Sequence, residues 1–201
     1  DNVEGATIPV ELAWKPKLAT FNGLPGEYKV GALYSTAEAK DIRSGEMQDG
    51  KYSFWLNAQQ QLTQHGADPK RGLYISFNGV VNDKATTFVE STQQLALWYK
   101  GPFDSRPNDS IGFGLANYVV NDRATDKQIA TNEGRGYYSY DAVASDYVPI
   151  QRDELNVELN YTYQWSPAVM LRPNLQYIYQ PTGVKEVEDA WVAGLTMKVN
   201  F

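Results

Sequence analysis

Arg172, Asn174 and Gln176 occupy alternate positions, so in an extended chain one side of the strand carries a guanidinium and two amides. Glu158 and Asn160 repeat that spacing with a carboxylate and an amide one segment earlier. Such a set is rich in hydrogen-bond donors and acceptors and suits binding by many modest contacts. Catalysis has much less to build on. The single histidine, His65, lies in a turn-forming stretch with Gly66, Asp68 and Pro69, so a Ser-His-Asp triad or a His-ligated zinc would depend on one turn residue. With no cysteine there is no disulfide and no thiolate metal site. Carboxylates are plentiful, but nothing marks two of them as a glycosidase pair. The acidic residues Asp122, Asp126, Glu133, Asp141 and Asp146 lack EF-hand spacing. The expectation is a protein that is not an enzyme and holds no metal and no cofactor.

The elements that position these groups show a period of two. Leu155, Val157, Leu159, Tyr161, Tyr163 and Trp165 alternate with Glu154, Asn156, Glu158, Asn160, Thr162 and Gln164, with the aromatics gathered at one end. Tyr52, Phe54, Leu56 and Ala58 alternate with Trp55, Asn57 and Gln59, and Leu73, Ile75, Phe77 with Tyr74, Ser76, Asn78. Nine such segments are predicted, near 7–14, 27–35, 51–62, 72–82, 93–100, 110–120, 153–165, 169–180 and 190–201, with no helix. Most approach the roughly 9–11 residues a tilted strand needs to cross a bilayer. The last one alternates from Trp191 through Met197 to a terminal aromatic, Phe201, in register with its apolar face.

Composition agrees with membrane strands. Mean hydropathy is −0.48 and no apolar run reaches membrane-helix length, as expected when half of each strand faces water. Tyrosine accounts for 14 of 201 residues while charged residues reach 21%, a balance that suits aromatic girdles at two bilayer interfaces. The formal net charge of −6 argues against nucleic acid as a partner. Connections alternate in length: 166–168 is very short and 121–152 is long, the pattern of short periplasmic turns and long extracellular loops. The fold class expected is all-β, a transmembrane antiparallel β-barrel. An odd count of about nine strands means that part of the barrel lies outside this chain, since single-chain bacterial barrels have even strand numbers.

The run Arg172-Pro173-Asn174-Leu175-Gln176-Tyr177-Ile178-Tyr179-Gln180-Pro181, followed by the terminal strand, resembles the C-terminal signature of the carbohydrate-selective porins of the OprB family. Gly5 through Trp14 and Leu24 through Gly31 are similar to that family in the same order. The resemblance implies that residues 1–201 are the C-terminal half of a sixteen-stranded barrel in the bacterial outer membrane. It implies a passive channel for glucose-like monosaccharides, with a general ion or solute porin as the alternative and a soluble carbohydrate-binding β domain as the more remote one. The implied partners are a monosaccharide, outer-membrane lipid, the N-terminal half of the barrel, and the barrel-assembly machinery through Phe201.

A monosaccharide offers hydroxyls that need paired donors and acceptors, and C–H faces that rest on aromatic rings. Projecting the alternation inward nominates Trp55, Asn57, Trp98, Glu158, Asn160, Arg172, Asn174, Gln176 and Lys198 as lumen residues. Glu11, Glu27, Lys29, Gln59, Glu154 and Asn156 fall on the same face. Arg172, Asn174 and Gln176 beside Glu158 and Asn160 form the best local cluster, readable either as a sugar contact or as a structural network. Pro173 falls on the lipid side, where its missing N–H calls for irregular pairing.

Overall fold

The computed structural model describes residues 5–137, 144–184 and 186–200. Apolar and polar residues alternate along the chain, and the strands that result pair in sequence order. β1 (Thr7–Trp14) and β2 (Gly26–Ser35) come first, and a small hairpin of β3 (Ala39–Lys40) and β4 (Met47–Gln48) stands in the next loop. There follow β5 (Lys51–Gln61), β6 (Gly72–Asn82), β7 (Val89–Lys100), β8 (Ser110–Val120), β9 (Glu154–Gln164), β10 (Val169–Tyr179) and β11 (Ala190–Val199). All but β3 and β4 form one nine-stranded antiparallel sheet in the order β1-β2-β5-β6-β7-β8-β9-β10-β11. Within this chain the sheet does not close, so β1 and β11 each keep an unpaired edge among the described residues.

Register carries the alternation across the sheet without a slip of face. Asn57 opposes Asn78, Asn78 opposes Gln94, Gln94 opposes Ala116, and Ala116 opposes Asn156, so five strands place their polar positions on one side. The other side is apolar and open to the surroundings: Leu12 is 71% exposed, Leu195 70% and Trp191 69%. Buried apolar side chains among the described residues are confined to Ala124, Tyr147 and Ile150, all in the connection between β8 and β9. A water-soluble sheet reverses this distribution, because exposed apolar area is what burial removes from water.

The connections 15–25, 62–71, 101–109 and 165–168 share one end of the sheet, the short-turn end, while 36–50, 83–88, 180–189 and the long 121–153 share the other. At the short-turn end the backbone reverses at Gly101 with φ 61°, a conformation that favours glycine, and Arg71 donates to the Gly101 carbonyl through Nε at 3.0 Å and Nη2 at 2.8 Å. In the long connection the structure departs from the sequence reading. A helix, α1 (Asp122–Gly134), occupies a stretch in which no helix was expected. Asn121 caps it by accepting the Arg123 N–H at 3.0 Å, but the helix buries only Ala124, Thr125 and Asn132. Without an apolar stripe there was no helical period to find. β7 also begins at Val89, ahead of the expected 93, through an irregularity between Val89 and Ser91. Pro173 pairs with Leu195 on β11, whereas the β9 ladder is interrupted between Leu171 and Asn174, as its missing N–H required.

Candidate functional site

Glu158 organises the polar face of β9 and β10. Its Oε1 accepts the Asn160 side-chain amide at 2.8 Å, while Oε2 accepts Gln176 at 2.8 Å and Asn174 at 3.4 Å. Cross-strand register explains this, since Gln176 opposes Glu158 and Asn174 opposes Asn160. Arg172, one alternate position further, receives no carboxylate from the described residues, and its Nε is buried without a partner. Asn174 Oδ1 and Asn156 Oδ1 are buried and unpartnered as well. One wall therefore presents both an unsatisfied donor and unsatisfied acceptors.

This wall flanks a cavity of about 560 Å³ whose lining includes Trp98, Gly112, Gly114, Glu158, Arg172 and Gln176. Its opposite side is aromatic: Trp98 lies parallel to Tyr74, with ring centroids 5.3 Å apart and planes at 8°. Tyr74 is held in turn by its hydroxyl, which donates to the Lys70 carbonyl at 2.9 Å. Between the two sides runs β8, whose face here consists of Ser110, Gly112, Gly114 and Ala116. The result is a trough with an aromatic side, a floor of small residues and a hydrogen-bonding side.

Of the sequence-nominated residues, Trp98, Glu158, Asn160, Arg172 and Gln176 line the trough, with Asn174 attached through Glu158. Trp55, Asn57 and Lys198 are on the same face but elsewhere. Trp55 donates through Nε1 to Glu11 Oε2 at 2.8 Å and lies against Gly31, where an added Cβ would run into the indole. Asn57 lines a second cavity of about 340 Å³ together with Glu27, Lys29, Gln59 and Asn78. Glu27 is paired there with Lys29 at 3.2 Å and Lys15 at 3.4 Å. Lys198 opposes Met170, nearer the short-turn end. Tyr74, Gly112 and Gly114 were missed. The signal for the glycines was present, since they fall at alternate positions in step with Ser110 and Ala116.

Charged groups outside the strands fasten the rims. At the short-turn end His65, in its turn, bridges the Tyr99 hydroxyl at 2.9 Å and Asp104 at 3.2 Å. The bond from Arg71 holds the Asp104 carboxyl below the usual carboxylate range, and His65 adds to this. Asp109 is buried, and burial alone would raise it. Arg106, the Tyr161 hydroxyl and the Gln164 N–H together bring it below its ordinary value instead. At the other end the Ser44 and Arg43 backbone N–H groups hold Asp41 low, with Arg123 3.5 Å away. Asp141 and Phe201 lie outside the described residues.

A porin named QuiX from Acinetobacter baylyi is 80% identical over 202 residues, covering 100% of this chain and 46% of its own length. Porin B of Pseudomonas aeruginosa is 44% identical over 211 residues, covering 98% of this chain and 46% of its own. The solved high-pH structure of Pseudomonas putida OprB superposes with a TM-score of 0.92 at 44% identity, over 98% of this chain and 49% of that one. Its low-pH structure gives 0.67 at 37% identity, over 98% and 47%. The chain thus spans about half the length of the relatives it matches. The carbohydrate-selective porin, OprB family, matches residues 1–201 throughout. That likeness makes the nine-stranded sheet a piece of porin barrel wall, places it in the outer membrane, and points to a channel rather than an enzyme. The chain belongs to the OprB family of carbohydrate-selective porins.

Proposed function

We propose that residues 1–201 supply the C-terminal half of a barrel through which neutral sugars of the glucose type diffuse passively across the outer membrane. The polar face lines the lumen, the long-loop end faces outward and the short-turn end faces the periplasm. The remaining strands of the parent polypeptide close the barrel, and lipid surrounds the apolar face. Phe201 is the handle for the barrel-assembly machinery. The protein performs no covalent chemistry on its cargo.

The trough is the observation that carries this reading. A sugar hydroxyl accepts from a guanidinium or an amide and donates to a carboxylate, so it is matched by Arg172, Gln176 and Glu158, which all line the trough. A simple anion could serve only the donors. The C–H face of the ring has the Trp98 side to rest on. No group there binds tightly, as transit demands: a cargo must leave as readily as it enters.

Planar-bilayer recordings on the full-length barrel test this. Arg172→Ala is expected to weaken the block of ion current by glucose and to raise relative cation permeability, with little loss of assembled protein. If glucose fails to block even the unsubstituted barrel, which nevertheless conducts ions, the protein is a general ion and solute porin.

A further inference from the structure

Glycines in these strands act as seats for side chains from the neighbouring strand. Five glycines in the strands face the lumen side: Gly31, Gly72, Gly112, Gly114 and Gly194. An added Cβ would meet the Trp55 indole at Gly31, the Thr63 backbone at Gly72, the Asn160 amide at Gly112 and the Asn174 amide at Gly194. Three of these covers come from the residue directly opposite in register: Trp55 on Gly31, Asn160 on Gly112 and Asn174 on Gly194. At Gly114 the nearest atom is the Leu95 carbonyl oxygen at 3.9 Å, and no side chain covers the site. Register explains the exception. Gly114 opposes Ala96, which is too short to reach across it, and Glu158, which Asn174 and Gln176 draw toward β10.

We infer that Gly114 is the seat for the cargo itself, the position where a pyranose ring comes closest to the barrel wall. This rests on the reading of the trough as the sugar path and adds its specificity determinant. A ring settled over the bare β8 backbone has the Trp98 side to one flank and Glu158, Gln176 and Arg172 to the other, all lining the same cavity. The seat admits the flat face of a six-membered ring. Any side chain at 114 longer than alanine's would occupy that space and push the ring away from both flanks.

Gly114→Val in the full-length barrel is the test, with Thr92→Leu as its control. Gly114 has no positive φ and no close neighbour, and valine favours strands, so folding should be preserved. Thr92 opposes Tyr118 on the same face but does not line the trough, so leucine there adds bulk to the lumen alone. In bilayers, Gly114→Val should raise the glucose concentration for half-block several-fold while the sugar-free conductance changes far less, and Gly114→Ala should fall between it and the parent. Thr92→Leu should leave the glucose response as it was. If the parent is blocked by glucose and Gly114→Val is blocked equally, the seat is refuted and the sugar channel stands. An equal loss in Thr92→Leu refutes the seat as well, because bulk alone would then explain it. A parent barrel that glucose does not block overturns both.

Discussion

Two stretches of the polar face, β1 to β5 and β7 to β10, use the same residue types to opposite effect. On the first, Glu11 is met by Trp55, Glu27 by Lys15 and Lys29, and Gly31 is covered by an indole. On the second, among the described residues, the Arg172 guanidinium has no carboxylate, two amide oxygens are unpartnered and Gly114 is bare. The orphaned atom that the first stretch does hold, Gln61 Oε1, is at the end of its strand. Buried polar groups are nearly always satisfied within a protein. A wall that closes its own bonds is scaffold, and one that leaves polar groups unpaired beside a cavity is a place for something to bind.

Both stretches must share one inside, and the largest expected effect tests that. Val157, on the lipid side of β9, replaced by arginine should cost about 2–4 kcal/mol near mid-bilayer, measured by folding of the full-length barrel into vesicles. Glu158→Arg, one residue on, should fold nearly as the parent does while altering ion selectivity. Equal losses would mean that the two faces have been exchanged.

The tryptophans sharpen the contrast with a middling effect. Trp98→Ala should weaken glucose block by roughly two- to twelvefold, the worth of an aromatic contact of about 0.5–1.5 kcal/mol, and leave folding nearly intact. Trp55→Ala should do the reverse, lowering stability by uncovering Gly31 and stripping Glu11 of its donor while sparing sugar block. The same response from both would erase the distinction between scaffold and site.

Acid should separate the rims of the two stretches, with the smallest effect. The rim beside β7 to β9 is fastened by Asp104 and Asp109, both held below the ordinary carboxylate range. The end of β5 is fastened by the buried amides of Gln60 and Gln61, which do not titrate in this range. Lowered carboxylates stabilise fully above their unfolded pKa of about 3.9 and lose that contribution as pH falls toward the folded value. Protection against hydrogen exchange at 101–109, corrected for the intrinsic pH dependence of exchange, should therefore fall below about pH 4 while that of the Gln60 and Gln61 amides changes less. Parallel acceleration in both would show that the carboxylates carry no special share.

Much of this was legible from the period of two. Alternation at Leu155, Val157 and Leu159 against Glu158 and Asn160 fixed both the strand and its faces, because a sheet assigns sides by parity alone. Parity put Trp98 and Arg172 on the polar face, but their meeting in one trough depends on register across four strands, which no single segment encodes. Gly114 escaped because pattern reading follows side chains, and its contribution is the lack of one. α1 escaped for a related reason, since a helix polar on every side has no stripe.

In the proposed orientation, that helix has a consequence at the cell surface. Arg123 approaches Asp41 at 3.5 Å, Lys127 donates to the Ile42 carbonyl at 2.9 Å, and Asn121 donates to the carbonyls of Lys84 and Thr87 at 2.7 and 2.8 Å. Three loops, distant in sequence, therefore present one composite relief. An antibody raised against the intact cell should recognise residues from 36–50, 83–88 and 121–134 together, whereas a synthetic peptide copying any one loop would be a poor immunogen for the native protein.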